Sequence, residues 1–546
     1  MMKNSSLGTG ALVGALLTAP LMAVMYLADQ LAGLPFVPFD LFDWMTRVLP
    51  GPVITFGIET MINTLTRLGI DVADTAKLAE HAIAVLQFFL GGVLAGAVFY
   101  AVAKARQTRP DWMVSLVTGA LYGLPQIAIS LVAGGTSLHP LINLAWLLAL
   151  FLGWGTAFKW IYARLEWVRP RPEAIEAAEA RSVQAIDRRQ FLILLGTSAA
   201  TITVVGSSLA AVLARAERRR GEQTLQDTVA HSISGDERPP FPNANDPLSP
   251  APGTRPEYTP LKDFYKVFIR SEPTVIDGST WVLPITGLVD NQLMLTLDDL
   301  RQRYPRRDQY VTISCISGRV GTNLISTTLW SGASLKEVLA EAKVQQAARY
   351  LNITSGDGFH ETISLELIEA DERLMLCYDW DGYPLPVDHG FPLRVWIPDR
   401  YGMKQPKWIT AMEVTDQYKP GFWVERRWDE LAQVKATSVI DTVAVDAVIQ
   451  DGERRLVPVG GIAFAGARQI SKVELRVDGG PWEAAQLRSP FSETTWVIWR
   501  YDWPFQEGRH IVEVRCAEGD GTPQIEATSE AHPSGATGIH RKEANL

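Results

Sequence analysis

The chain has 546 residues, a length that predicts three or four folding units rather than one compact core. Its formal net charge of −9 argues against nucleic acid as a partner, and 47% hydrophobic with only 20% charged residues indicates lipid-facing segments. Three cysteines, Cys315, Cys377 and Cys516, exclude a disulfide framework and any zinc or iron–sulfur site built from several cysteines.

Five apolar runs in the first part of the chain are each long enough to cross about 30 Å of hydrocarbon. They lie at 7–28, 82–103, 112–134, 140–158 and 191–213. A sixth apolar stretch, 51–70, is interrupted by Glu59 and Arg67, and its spacing favours a helix lying in the membrane interface. The sequence therefore predicts a helical membrane domain with five spans over residues 1–216.

The orientation of this domain follows from the distribution of lysine and arginine between the loops. The loops between spans two and three and between spans four and five are basic, whereas the other two are acidic or uncharged. This pattern places the N-terminus and both basic loops in the cytoplasm. Everything after Leu213 is then extracytoplasmic, in a multi-pass protein of the cell (inner) membrane, unless residues 51–70 also span.

The fifth span begins with a pair of arginines, in the order Arg188-Arg189-Gln190-Phe191-Leu192. This segment resembles a twin-arginine export signal, although two arginines also mark a cytoplasmic helix end under the positive-inside rule. Such signals serve proteins that fold around a cofactor before export. The pattern therefore favours a cofactor-binding domain downstream.

The rest of the chain divides by composition into three segments. Residues 217–262 are polar and proline-rich, which indicates a semi-extended linker. Residues 263–430 alternate short strands with a few helices, a pattern typical of an α+β domain. Residues 431–546 contain strands alone, separated by turns, and predict a β-sandwich. No Walker loop, dinucleotide fingerprint or haem-attachment motif is present in the sequence.

Four segments of the α+β region resemble the sulfite oxidase family of molybdopterin enzymes. They lie at 312–319, 329–335, 376–394 and 402–408. The run Asp388-His389-Gly390-Phe391-Pro392-Leu393-Arg394 is the most specific of them. The resemblance extends from about residue 264 to residue 538, where the β-rich tail looks like the immunoglobulin-like domain that often forms the dimer contact in that family.

The resemblance implies a molybdenum-molybdopterin cofactor with Cys315 as the protein ligand of the metal. A thiolate that holds a metal must be deprotonated and fixed at a strand end, and soft sulfur ligands suit molybdenum bound to a pterin dithiolene. Cys315 follows a predicted strand and precedes a glycine-containing turn. We interpret the other two cysteines, Cys377 and Cys516, as buried small hydrophobic residues.

The resemblance also implies which residues surround the metal. Those expected to bind the pterin and its phosphate are Arg270, Asp357, His389, Arg394, Gln405 and Lys407. Those expected at the catalytic centre are Cys315, Arg319, Tyr378, Arg270, Arg468 and Trp330. Two positions depart from the family pattern, because Glu272 stands where a histidine is common and Val320 replaces a second arginine. The valine makes a dianionic substrate harder to bind.

The expected reaction is two-electron oxygen-atom transfer to or from a small sulfur-containing substrate, for example an oxyanion such as sulfite, with an external electron carrier. An S-oxide or N-oxide reductase of the same fold is the alternative within the enzyme class. A metal-free membrane protein that binds a partner is the alternative outside it. Haem binding would require two facing histidines. The sole candidates in the membrane region are His81 and His139, at the predicted extracytoplasmic ends of their helices. We interpret them as interfacial histidines, and the membrane region as an anchor or docking domain without haem.

Overall fold

The computed structural model describes residues 7–49, 72–105, 112–133, 139–167, 188–230, 240–270 and 273–546, and a few single positions between 53 and 64. These residues form two compact units. The first comprises Met1–Leu49 and Lys77–Thr228, and the second comprises Pro50–Ala76 and Val229–Leu546. Most of the predicted interfacial segment 51–70 lies outside the described residues, as does Glu272.

The described residues of the first unit form helices joined by short connections. Its helices are α1 (Leu7–Ala32), α2 (Val37–Val48), α3 (Val72–Ala105), α4 (Trp112–Ala133), α5 (Pro140–Trp167) and α6 (Arg188–Ala230). Five of the six, all except α2, are long and apolar enough to cross a membrane by length and composition. The five predicted apolar helices are therefore confirmed, and α6 continues past residue 213 as a helix into the segment that we predicted to be an extended linker.

Glycines bring the helices of this unit into close backbone contact. A Cβ atom placed on Gly14 of α1 would lie 2.6 Å from the carbonyl oxygen of Gly92 in α3. A Cβ atom on Gly119 of α4 would lie 2.5 Å from the carbonyl oxygen of Phe151 in α5. Small residues at such crossings are typical of membrane helix pairs, because van der Waals packing drives their association.

The two histidines of this unit contact protein groups. The His81 ring stacks on Phe39 with the ring centroids 4.5 Å apart. His139 accepts a hydrogen bond from the Leu141 N–H through Nδ1, at 3.3 Å. The inward-facing polar groups include Asp40, whose carboxylate accepts a 2.5 Å hydrogen bond from Ser130.

The second unit begins with an α+β region that contains two sheets. The elements are β1 (Val282–Gly287), β2 (Leu293–Thr296), α7 (Leu297–Arg303), β3 (Arg307–Ser314), β4 (Ile325–Ser334), α8 (Leu335–Ala342), β5 (Tyr350–Ser355), β6 (His360–Ser364), α9 (Leu365–Ala370), β7 (Met375–Trp380), β8 (Tyr383–Pro384), β9 (Arg394–Trp396) and β10 (Ile409–Thr415). One sheet has the order β2-β1-β10-β5-β6, and the other has the order β3-β4-β7-β8 with β9 beside β7. Only the pairing of β1 with β10 is parallel.

The β3-β4-β7 sheet buries both of its faces. Leu376 and Tyr378 belong to a core shared with α7, α8 and the other sheet. Met375 and Cys377 point to a second cluster that contains Val311, Ile313, Trp330 and Trp396. Because neighbouring side chains of a strand point to opposite faces, these two sets are separated by the sheet. Cys315 packs against the second cluster.

The C-terminal region consists of two antiparallel sheets with a common core. Its strands are β11 (Thr437–Val443), β12 (Ile449–Asp451), β13 (Arg454–Phe464), β14 (Ile470–Val477), β15 (Glu483–Ala484), β16 (Gln486–Leu487), β17 (Val497–Pro504), β18 (Arg509–Glu518) and β19 (His540–Asn545). The sheet orders are β11-β13-β17-β16, with β12 beside β13, and β15-β14-β18-β19. Val459 and Trp499 of one sheet pack with Leu475 and Val514 of the other.

The described part of the proline-rich segment, 240–262, is bound to the domain surface. Arg255 forms a 2.6 Å ion pair with Asp441, and Glu257 accepts a hydrogen bond from Arg488 at 3.0 Å. The Thr259 N–H donates to the carbonyl oxygen of Thr327. This part of the predicted linker is therefore docked rather than a free tether. Polar and charged side chains hold this segment on the surface, and a search for apolar periodicity does not detect such contacts.

Candidate cofactor site

Cys315 lies where strand β3 ends and the loop to β4 begins. Its N–H donates to the carbonyl oxygen of Leu324 at 2.9 Å, which closes the base of the loop directly beyond the last paired residues of β3 and β4. Its carbonyl oxygen accepts from the Gly318 N–H at 3.1 Å. The backbone at the predicted metal ligand is thus held on both sides by hydrogen bonds.

The thiol of Cys315 is the least buried of the three in the chain. It is half-buried, with its Sγ 3.1 Å from the hydroxyl oxygen of Ser317, whereas Cys377 and Cys516 are buried. Burial raises the pKa of the Cys315 thiol, while the Ser317 hydrogen bond and the positive charge of Lys407 act in the opposite direction. Burial raises the pKa of each of the other two to about 12, in agreement with their interpretation as packing residues.

The charge of Lys407 links this thiol to a group that we call the cationic side, made of Arg270, Asp357, His389, Arg394 and Lys407. The ammonium of Lys407 donates to the carbonyl oxygens of Val267 and Asp388, each at 3.1 Å. The buried guanidinium of Arg394 lies 4.2 Å from the centre of the Trp330 ring and donates to the carbonyl oxygen of His389 at 3.1 Å. Both cations are thus held by backbone carbonyl groups and an aromatic ring.

The remaining members of the cationic side lie within electrostatic range of these two. Burial raises the pKa of Asp357, whereas the charges of Lys407 and Arg270 oppose that rise. Burial, together with the charges of Lys407 and Arg394, holds the pKa of His389 well below its usual range. The His389 imidazole is therefore neutral at pH 7, and this side carries a net positive charge.

Several buried polar atoms here have no hydrogen-bond partner among the described residues. They are His389 Nε2, Arg394 Nε, Gln405 Oε1 and Trp330 Nε1. The other amide atom of Gln405, Nε2, donates to the carbonyl oxygen of Arg400 at 2.9 Å. A buried polar atom without a partner costs about 1–3 kcal/mol, so such a set indicates a missing ligand. Unfilled donors and an acceptor next to net positive charge fit a pterin that carries a phosphate.

A second group, which we call the carboxylate side, is made of Arg319, Asp399, Arg468, Glu518 and Glu530. Arg319 Nη2 lies 3.4 Å from Glu530 Oε2. Arg468 Nε donates to Glu518 at 2.7 Å, while its Nη1 forms an ion pair with Asp399. Each arginine that the sequence predicted here is therefore paired with at least one carboxylate.

Tyr401 connects this group to Cys315. Burial raises the pKa of Tyr401 to about 12, and the charges of Cys315, Arg468 and Asp399 also act on it. Its hydroxyl oxygen accepts a hydrogen bond from the Lys435 N–H at 3.1 Å. Burial, and then the charge of Cys315, also raise the pKa of Tyr265. Sequence reasoning missed both tyrosines, although Tyr401 directly precedes one of the matched segments.

The structure places Tyr378 in the core on the opposite face of the β3-β4-β7 sheet from Cys377. The guanidinium of Arg301 lies 5.2 Å from the centre of its ring. Burial, and then the charge of Asp379, raise the pKa of the Tyr378 hydroxyl. The structure therefore groups Cys315 with Tyr265 and Tyr401 rather than with Tyr378. Trp330, in contrast, lies at the cationic side beneath Arg394.

No group of three or more histidine, cysteine, aspartate or glutamate side chains that could hold a metal ion occurs in the part of the chain that the structure describes. Any metal at Cys315 would then take a single thiolate from the described residues and its other ligands from a bound molecule. The donor set at this position agrees with a pterin dithiolene.

Comparison with known proteins supports this view of the site. The model of the oxidoreductase molybdopterin binding domain matches residues 270–423. Mitochondrial sulfite oxidase of Homo sapiens is 27% identical over 289 residues, which cover 45% of this chain and 53% of that protein. The uncharacterized oxidoreductase YuiH of Bacillus subtilis is 30% identical over 151 residues, which cover 28% of this chain and 73% of that protein.

The chain is also similar to solved structures. The sulfane dehydrogenase SoxCD from Paracoccus pantotrophus is 19% identical, with a TM-score of 0.47, over 55% of this chain and 86% of that chain. The chain spans about half the length of the human relative that it matches. The helical unit lies outside the residues matched by the domain model.

Proposed function

The chain belongs to the sulfite oxidase family of molybdopterin-dependent oxidoreductases, and from this membership we propose that it transfers an oxygen atom to or from a small sulfur-containing substrate at a molybdenum centre. The observation that carries the proposal is the position of Cys315. Its half-buried thiol lies beside a cationic group whose buried polar atoms lack partners. A thiol sealed in apolar packing, as at Cys377, would not support this function.

The residues present fit the cofactor as follows. Cys315 would supply the thiolate ligand, and the ammonium of Lys407 stabilises that thiolate by its charge. Lys407 and Arg270 provide the positive charge that a phosphate requires, and the guanidinium of Arg394 is held rigid by Trp330. His389 Nε2 and Gln405 Oε1 remain to bond the polar edge of the pterin. When bound, the cofactor supplies the two-electron oxygen-atom chemistry.

The substrate would approach from the carboxylate side, where Arg319 and Arg468 are the predicted anchoring cations. The hydroxyl groups of Tyr265 and Tyr401 stay protonated at neutral pH because burial raises the pKa of each. They are therefore hydrogen-bond donors within electrostatic range of the thiolate, and the raised pKa of each means that it keeps its proton. The catalytic role that the family resemblance implies for Tyr378 remains a prediction.

We further propose that the five long helices anchor the enzyme in the cell membrane with the molybdenum domain outside the cytoplasm. The lengths and apolar composition of α1 and α3 to α6 support the anchor, and the basic loops support the orientation. The arginine pair at the start of α6 would act as the export signal. An external carrier would exchange electrons with the domain, and the C-terminal sheets would form an immunoglobulin-like dimer contact.

Elemental analysis of the full chain tests the proposed cofactor. The protein is purified in detergent from a host that makes molybdopterin, and its molybdenum content is measured by mass spectrometry. We expect one molybdenum per chain, together with turnover of sulfite or of a sulfoxide. Metal-free protein from such a host would instead support the alternative in which the domain only binds a partner. Protease protection in oriented vesicles tests the placement of the domain.

A further inference from the structure

The guanidinium of Arg468 is enclosed by acceptors on three sides. Nε donates to Glu518 Oε2 at 2.7 Å, Nη2 donates to the Val434 carbonyl oxygen at 2.7 Å, and Nη1 pairs with Asp399. The side chains of Asp399 and Glu518 are exposed by only 17% and 14%. An anionic substrate could use this arginine only by competing with two carboxylates that are already in place.

The second arginine of the carboxylate side, Arg319, is more exposed, and its charge is also neutralised by a carboxylate. Arg319, in the loop that begins at Cys315, pairs with Glu530 at 3.4 Å. The next residue is Val320, which offers no further cation. Arg400 Nη1 also lies 3.5 Å from Asp399 Oδ2. Three guanidinium groups thus face three carboxylates, and this group has no surplus positive charge at neutral pH. The thiolate required of Cys315 adds one negative charge nearby.

Resting on the proposed function, we propose that Asp399, Glu518 and Glu530 determine the charge of the substrate. The site takes an uncharged oxide, such as a sulfoxide, and rejects oxyanions such as sulfite. A sulfoxide oxygen accepts a hydrogen bond from a guanidinium N–H that keeps its carboxylate partner. A dianion has to displace such a partner, and the displaced carboxylate then repels it.

The first experiment measures binding without turnover. Calorimetry with sulfate, an oxyanion that does not react, is performed on the molybdenum-loaded holoenzyme, in which the cofactor phosphate occupies the cationic side. We expect a dissociation constant above about 10 mM for the wild-type protein. The Glu530→Gln variant frees Arg319, and we expect it to bind sulfate about threefold to tenfold more tightly, because one negative charge near a dianion is removed.

The chain offers a matched control for this substitution. Arg373 and Glu493 form a pair at 3.3 Å with exposed fractions of 36% and 68%, against 37% and 68% for Arg319 and Glu530. The Glu493→Gln variant should bind sulfate as the wild type does. The double variant Val320→Arg/Glu530→Gln should bind it more tightly than the single variant.

The second experiment compares turnover of the two substrate classes. Dimethyl sulfoxide takes two electrons from a reduced viologen dye and two protons from water, and leaves as dimethyl sulfide and water. Sulfite gives two electrons to an oxidised dye, takes up the oxygen atom of a water molecule whose two protons go to the solvent, and leaves as sulfate. We expect kcat/KM for dimethyl sulfoxide to exceed that for sulfite, and we expect Glu530→Gln to reduce the ratio.

Two results would overturn the charge proposal while leaving the proposed function intact. They are wild-type holoenzyme that binds sulfate below about 1 mM, and equal sulfate affinity in the wild type and Glu530→Gln. Failure of the proposed function gives a different result, since the purified chain then lacks molybdenum before any substrate is added.

Discussion

The two sides of Cys315 contain similar numbers of cations but neutralise them by different means. On the cationic side, Lys407 and Arg394 are held by backbone carbonyl groups and by the ring of Trp330, so most of their charge remains for a bound anion. On the carboxylate side, Arg319 and Arg468 are paired with acidic side chains. The partners of an arginine therefore decide which ligand it serves, and a count of arginines overestimates the attraction for anions.

Replacement of Cys315 should have the largest effect on turnover. The Cys315→Ser variant loses the soft thiolate ligand, since a serine hydroxyl does not ionise at neutral pH. We expect turnover to fall at least about a thousandfold while the fold is retained, because the site is only half-buried. Assays with both substrates, combined with circular dichroism, measure these two outcomes.

Cys516→Ser is the matched control for that variant. Cys516 lies in the C-terminal sheets, where its Sγ contacts Gln524 Oε1 at 3.2 Å, and a serine hydroxyl can keep this hydrogen bond. This variant should retain molybdenum and turnover. Full activity in Cys315→Ser would refute the ligand assignment, and with it the division of the site into two sides.

The cationic side should be sensitive to shape as well as to charge. Arg394→Lys keeps a positive charge but loses the planar group that lies 4.2 Å from the Trp330 ring centre and contacts His389. We expect molybdenum retention after dialysis to fall about tenfold. Arg509→Lys, at a side chain that is 73% exposed, is the control and should retain the metal. Equal retention in both variants would show that charge alone holds the cofactor.

A buried ion pair that includes Lys404, the residue before Gln405, should contribute strongly to the stability of the molybdopterin domain. Lys404 and Glu361 are in contact at 2.6 Å, with 9% and 0% exposure. The Lys404→Met variant leaves the Glu361 carboxylate buried without a cation, which should lower the free energy of unfolding by about 3–5 kcal/mol. Urea unfolding of the full chain in detergent, followed by tryptophan fluorescence, measures this loss.

The double variant Lys404→Met/Glu361→Gln tests the cause of that loss. It should recover much of the stability, because no buried charge remains. Glu543→Gln breaks an exposed pair with Arg509 and should cost less than about 1 kcal/mol. If Lys404→Met lowered the free energy of unfolding no more than Glu543→Gln does, the buried pair would contribute no more to stability than an exposed pair.

Local pattern predicted much of this architecture. The strand that leads into Cys315 lies where the sequence predicts it, as does each of the five apolar helices. The resemblance to the sulfite oxidase family, rather than any local pattern, assigned His389, Arg394 and Lys407 to one site. Short-range periodicity and motif spacing suffice for features whose cause lies within a few residues.

Features that depend on distant partners could not be predicted in this way. The docking of segment 240–262 depends on Arg255 and Asp441, which are far apart in sequence. Tyr378 and Cys315 belong to different side-chain clusters, and this depends on how the whole β3-β4-β7 sheet packs. The carboxylates around Arg468 come from parts of the chain that are far apart in sequence. Ion pairs between distant residues produce no periodic pattern in the sequence. Which arginines are neutralised by carboxylates can therefore be seen only in the folded chain.

The smallest expected effect concerns the loop between β3 and β4. A Cβ atom on Gly321 of this loop would lie 2.5 Å from His540 Nε2. The Nδ1 of His540 accepts a hydrogen bond from the Ile440 N–H at 3.1 Å. Burial lowers the pKa of His540 to about 4, and the charge of Lys542 adds to this effect. The loop therefore rests on an imidazole that must stay neutral.

The sign of the pH dependence follows from this lowered pKa. The unfolded state takes up a proton near pH 6.5 and the folded state only near pH 4, so the contribution of His540 is complete above about pH 6.5 and is lost as the pH falls. Between pH 7 and pH 5, we expect a loss of about 1 kcal/mol after allowance for partial exposure. In His540→Asn, whose amide oxygen can accept from Ile440, urea unfolding should show a smaller pH dependence. Equal slopes in the two proteins would mean that the loop gains nothing from a neutral imidazole.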